Sequence, residues 1–147
     1  MSYKGKFRPK YPEKYRGNPT NVIYRSLWEL RFMRHLDSHP SVIQWSSEEI
    51  VIPYVSPMDN RIHRYFPDFW VRTQGKDGTI NTMIIEIKPY VQCKVPTKQD
   101  KITRRYINEV KTYGINSAKW KAAEQFCIDK KWQFKVLTEK DLGLDKK

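Results

Sequence analysis

"RYFPDFWV", Arg64–Val71, and "MIIEIKPY", Met83–Tyr90, decide how this chain is read. Both runs carry the aromatic and β-branched residues of core strands. Yet each holds a carboxylate, Asp68 and Glu86, and the second adds Lys88. A buried carboxylate without a partner is costly enough that it takes up a proton or finds compensation. The polar stretch "QGKDG" at 74–78 separates the runs and reads as a hairpin turn. A hairpin lays Asp68 and Glu86 side by side. Strand alternation turns Ile85 and Ile87 to one face, and Glu86 and Lys88 to the other. Pro67 cannot donate a ladder hydrogen bond, so it favours an edge or a bulge, and bulges re-aim side chains beside functional sites. A plain ion pair would also account for Glu86 and Lys88, but exposed pairs add little stability. It leaves unexplained the apolar "MII" that leads into them.

Upstream, residues 26–38 follow a helical period, with His39-Pro40 closing the run. On a wheel of about 100° per residue, Trp28, Leu30, Phe32, Met33 and Leu36 sweep out an apolar face. Arg31, Arg34, His35 and Ser38 fall opposite, and Glu29 lands within the apolar face. "SLWE" at Ser26–Glu29 also fits a capping box, in which the glutamate reaches back to the start of its own helix. That device alone would explain the spacing. Residues 48–55 alternate as a strand, "SPMDN" at 56–60 is a turn, and 62–72 and 79–88 are two further strands. The basic stretch 91–105 runs into a helix expected to end near Gly114. Asn116 or Ser117 is expected to cap another helix through about Lys130, and "WQFKVLT" at 132–138 is the last strand. The expected class is α/β, a single domain with a mixed sheet flanked by helices in the order α-β-β-β-α-α-β. Its parts are an N-terminal arm at 1–19, a domain at 20–138 and a polar tail at 139–147. In the arm, six Lys or Arg residues alternate with Tyr3, Phe7, Tyr11 and Tyr15. Such a segment is a solvated tail, or a set of rings that stack on bases or pack on the domain.

The chain has 147 residues and a formal net charge of +12, with 39% hydrophobic and 30% charged residues. That length suits one domain with a real core. The charge favours a polyanionic partner, nucleic acid first and an anionic membrane surface second. No apolar run approaches the ~18 residues of a membrane span, and no signal-peptide pattern opens the sequence. Cys93 and Cys127 make neither a metal-type pair nor a disulfide framework, so a reducing cytosol is expected. His35 and His39 stand four apart without a third ligand. There is no nucleophile triad and no phosphate-cradling glycine loop, so no nucleotide cofactor is expected.

Two carboxylates held close repel unless a proton or a cation lies between them. All-oxygen ligation suits Mg²⁺, which binds through one or two carboxylates and keeps several waters. Such an ion can polarise a phosphodiester. Lys88 could orient a water or meet phosphate charge, and Glu29 could join the acids from the helix. "PDF" at 67–69, "EIK" at 86–88 and a glutamate on a preceding helix resemble the PD-(D/E)xK nuclease superfamily, whose core is restriction-endonuclease-like. "YRSLWE" at 24–29 is similar to a helix opening in phage resolvase-like and transposon-end nucleases of that group. Along its whole length, the opening 40 residues above all, the chain resembles the head-completion nuclease family of T-even-type bacteriophages. The resemblance implies a metal-dependent deoxyribonuclease with Glu29, Asp68, Glu86 and Lys88 in its catalytic roles. The three acids would hold Mg²⁺, with Mn²⁺ a substitute. It further implies double-stranded DNA and phage head or neck proteins as partners. The place of action would be the host cytoplasm during virion assembly, with retention in the virion open. A non-catalytic DNA-binding head component and a junction- or mismatch-selective nuclease are the alternatives. Lys94, Lys98, Lys101, Arg104 and Arg105 form a positive stretch after "EIK" suited to DNA phosphates. Lys119 is expected in the first turn of its helix, where a cation opposes the dipole and a phosphate partner would offset it.

Overall fold

The computed structural model of the chain describes residues 4–142. Residues 1–3 of the arm and 143–147 of the expected polar tail lie outside it. Its centre is a four-stranded mixed sheet in the order β3-β6-β7-β8. The strands are β3 (Val42–Ser47), β6 (Phe69–Gln74), β7 (Ile80–Ile87) and β8 (Gln133–Leu137). β3, β6 and β7 run antiparallel, and β8 lies parallel to β7. A parallel neighbour needs a long crossover, supplied by the helix α2 (Arg104–Lys130).

Period-2 alternation divides the core in two. Phe69, Val71, Ile85 and Ile87 face α1 (Leu27–Ser38), through Phe32, Met33 and Leu36. Trp70 and Ile84 face the other way, toward Ala123 and Cys127 of α2 and a second hairpin. That hairpin pairs β4 (Ile52–Val55) with β5 (Ile62–Tyr65) and contributes Ile52, Tyr54 and Tyr65. Each helix thus covers one face of the sheet. Among the described residues no helix is long and apolar enough to cross a membrane.

The described part of the arm packs on the domain. β1 (Gly5–Phe7) pairs with β2 (Val22–Tyr24), and Phe7 and Tyr15 set their ring edges against buried Trp45. Asp37, buried on α1, accepts the backbone N–H groups of Lys10 and Tyr11 at 2.8 and 3.2 Å.

The α/β class and mixed sheet are as expected, while several elements differ in detail. β1, β2 and β3 are not among the expected elements, and the expected strand 48–55 begins only at Ile52. The expected strand 62–72 is two, β5 and β6, because Phe66-Pro67-Asp68 interrupts the ladder. The two expected helices are one continuous α2 that runs through Gly114. Glycine costs about 1 kcal/mol in a helix interior, and α2 packs there against the β4–β5 turn. A Cβ added at Gly114 would meet Pro57 only at an ordinary 3.9 Å.

Candidate active site

The C-terminal ends of β3 and β7, the start of β6 and the N-terminus of α1 meet at one end of the sheet. Extending the β6–β7 register, in which Phe69 faces Ile85, sets Asp68 opposite Glu86. Backbone N–H groups hold both carboxylates in place. The Asp68 N–H donates to Glu86 Oε1 at 3.3 Å, and the Ile87 N–H donates to Asp68 Oδ2 at 2.8 Å. The break at Pro67 leaves the Asp68 amide free of the ladder and so permits this arrangement. Lys88 Nζ stands 3.7 Å from Glu86 Oε2, and its own N–H donates to Leu137 O of β8. Burial lifts the Asp68 carboxyl well above the usual carboxylate range, and the Glu86 charge adds to it. Burial lifts Glu86 as well, against the pull of Lys88.

Glu29 arrives from the first turn of α1. Ser26 caps the helix by accepting the Glu29 N–H at 3.1 Å. The Glu29 carboxylate reaches back to the Ser26 hydroxyl at 3.3 Å and the Arg25 N–H at 3.4 Å. The capping device and a place in the acidic group therefore coexist. Burial raises the Glu29 carboxyl, and a neighbouring acid, Glu48, raises it further.

Glu48 is the acid that the sequence reading missed. It follows β3 in a left-handed conformation, φ 55°, and its N–H donates to the Asp68 carbonyl. Glu29, Glu48 and Asp68 each bring a carboxylate oxygen within 4.8 Å of the other two. Arg25 holds Glu48 through two bonds, Nε–Oε1 at 2.8 Å and Nη2–Oε2 at 3.1 Å. Glu48 stands at the start of the strand expected over 48–55. The available signal was an acidic pair, Glu48-Glu49, separated from the apolar "VIQW" at 42–45 by two serines.

On the far side, α2 sends Lys119 toward Glu86 and Lys88. Lys119 sits mid-helix rather than in a first turn, so the dipole argument does not hold for it. Its surroundings do the work instead. The ammonium lies over the Tyr54 and Tyr65 rings, 5.8 and 5.5 Å from their centroids. No carboxylate among the described residues lies within ion-pair distance of it. Burial lowers its pKa, and the charge of Lys88 lowers it further. The Tyr65 hydroxyl, buried beside Glu86, lacks a well-formed hydrogen bond, as do the buried Asn116 Nδ2 and Trp120 Nε1.

The remaining expected cations lie apart from this centre. Lys94, Lys98 and Lys101 are exposed on the segment after a short turn at Tyr90–Cys93, and Arg104 and Arg105 open α2. Arg105 pairs with Glu109 at 3.2 Å. Lys94, Arg104 and Arg105 line an open groove of about 780 Å³ with Val91 and Val95. The His35 and His39 rings lie 5.0 Å apart, and His39 Nδ1 is engaged by Ser41. Among the aromatics around the site, Trp45, Tyr54, Phe69 and Trp70 are buried, whereas Phe66 is exposed.

The donor set suits a hard divalent cation: carboxylates only, mutually repelling, drawn from a helix, a strand end and a hairpin. Comparison with known proteins agrees with this chemistry. Residues 39–139 match the family of TnsA-like endonuclease N-terminal domains. The chain is 40% identical over 146 residues to the head completion nuclease of Enterobacteria phage T4, covering 97% of this chain and 95% of that protein. No solved structure matches. The chain belongs to the TnsA-like endonuclease family.

Proposed function

We propose that this endonuclease is a Mg²⁺-dependent deoxyribonuclease that cuts double-stranded DNA with little sequence preference during phage head completion. The head-completion role follows the name of the phage T4 relative, which is alike along nearly its full length. Action in the host cytoplasm, before heads and tails join, goes with that role, and phage head or neck proteins would be its neighbours.

The observation that carries the chemical reading is the pair of backbone-to-carboxylate hydrogen bonds that tie Asp68 to Glu86 and Ile87. It fixes two raised carboxyls in register with Lys88 at the end of a covered strand. Asp68, Glu86 and Glu29 are the residues that would hold the ion, and Mn²⁺ would satisfy the same oxygens. A bound divalent cation supplies Lewis-acid polarisation of the phosphodiester and a more acidic attacking water. Lys88 is braced by Glu86 and by the hydrogen bond its N–H donates to Leu137 of β8, so its ammonium is held ready to orient that water or to meet phosphate charge. Lys119 offers a second, unpaired cation beside it for a non-bridging oxygen or an adjacent phosphate. Lys94, Lys98, Lys101, Arg104 and Arg105 would follow the backbone outside the centre, which gives affinity without base reading.

The test is nicking and linearisation of supercoiled DNA with Mg²⁺, Mn²⁺ or EDTA, using wild type, Asp68→Asn and Lys88→Ala. Cutting by wild type that needs the ion and is lost in both variants, with folding retained, is the expected result. Wild-type protein that binds DNA and never cuts it would make the chain a non-catalytic head component. Preferential cutting of branched over linear DNA would make it structure-selective.

A further inference from the structure

Arg25 touches two of the three clustered acids. Its main-chain N–H donates to Glu29, and its guanidinium grips Glu48 with two bonds. A planar guanidinium paired to a carboxylate in this way is geometrically specific and matches phosphate equally well. Arg25 is also half exposed, 50% against 28% for Glu48, so it can leave without opening the core. Glu48 cannot leave. Its amide is tied to the Asp68 carbonyl and its backbone is held at φ 55°. A glutamate held in the left-handed region persists where the surrounding structure over-determines it. Here it follows β3, whose Ser47 lies opposite Phe69, the residue after Asp68.

We propose that Glu48 is a fourth acid of the ion site and that Arg25 is its exchangeable counter-ion. The inference rests on the reading of Asp68 as an ion-holding residue. With no ion bound, the guanidinium neutralises Glu48 and limits repulsion among three carboxylates. When ion and DNA arrive, Glu48 turns its oxygens to the cation and Arg25 passes to a DNA phosphate. Ion and nucleic acid then favour one another's binding, because each removes the partner that the other's ligand must give up.

Calorimetric titration of Mg²⁺ or Mn²⁺ into the DNA-free protein tests this. Glu48→Gln is expected to weaken binding about tenfold, the scale on which ligand-supporting groups act in metal sites. Arg25→Gln is expected to change binding in the opposite direction, tightening it several-fold, because it frees Glu48 and leaves every carboxylate in place. Filter binding to duplex DNA in Ca²⁺ supplies the second reading. Arg25→Gln should flatten the salt dependence by about one counterion. Unchanged ion binding in Glu48→Gln, or weaker ion binding in Arg25→Gln, overturns the proposal and makes the pair a structural brace. Should Glu48→Gln melt early in EDTA, the sign of the Arg25→Gln change still decides. Asp68→Asn separates the two levels of the argument. Lost binding there with normal binding in Glu48→Gln defeats only this inference, whereas normal binding in Asp68→Asn defeats the ion site itself.

Discussion

The two walls of the site come from opposite faces of one sheet and carry opposite charge. The α1 wall brings Glu29, with Glu48 beside it at the end of β3. The α2 wall brings Lys119 over the rings of Tyr54 and Tyr65. Asp68 and Glu86 lie between them. The acidic wall is held by local hydrogen bonds to Ser26, Arg25 and the Asp68 carbonyl. The basic wall is held by packing, with no carboxylate in ion-pair reach among the described residues. Neither wall satisfies itself. One is short of a cation and the other of an anion, which is the pair of deficits that an ion-assisted attack on a phosphodiester would fill.

The largest effect should come from the residue that belongs to neither wall. Asp68→Asn is expected to reduce cutting by about 10³-fold, since a bound ion is worth several kcal/mol of transition-state charge stabilisation. The same change should raise the melting temperature in EDTA by a few degrees, because it removes a charge that burial disfavours, while the rise caused by Mg²⁺ disappears. A quenched-flow assay and thermal melts measure the two sides. A variant less stable in EDTA than wild type would contradict the picture of uncompensated acids.

Next comes the contrast between the walls. Lys119→Gln should lower DNA affinity and flatten its salt dependence by about one counterion, leaving ion binding intact. Glu29→Gln should weaken ion binding and leave the salt slope unchanged. Identical behaviour of the two variants would erase the distinction between the walls.

pH separates them further. Asp68, Glu86 and Glu29 all have folded-state pKa values raised, chiefly by burial. The native state therefore holds more protons than the unfolded chain between the ordinary carboxylate value and the raised one. Stability in EDTA should fall as pH rises through that window. A bound Mg²⁺ would compete with those protons, so its stabilising effect should grow over the same range. Melting curves from pH 4 to 8, with and without the ion, measure both slopes.

The smallest effect concerns the scaffold of the basic wall. Gly114→Ala meets only ordinary contact with Pro57 and should stabilise the protein by about 0.5–1 kcal/mol, with cutting unchanged. Urea denaturation is sensitive enough to see it.

These contrasts also mark what the sequence could carry. The strands around Asp68 and Glu86 were legible because period-2 alternation, Pro67 and a glycine-bearing turn all act locally. Glu29 was legible because a carboxylate stood out on an apolar helical face. Glu48 was not, because its role depends on β3 lying beside β6 and on a left-handed residue at the strand end, both tertiary facts. Lys119 was found for a reason that does not hold. Gly114 and the capping residues after it argue for a helix break, and packing of α2 on the β4–β5 hairpin overrides them. The sequence reading left open whether the arm's aromatics pack on the domain. Phe7 and Tyr15 do so because Trp45 presents a buried ring to them.

The N–H of Lys88 donates to the carbonyl of Leu137, in the last strand of the described residues. A ribosome delivers all four motif residues well before it delivers that strand, and the parallel pairing must then close over the whole of α2. Until that strand docks, the backbone that carries Lys88 lacks its hydrogen bond to β8.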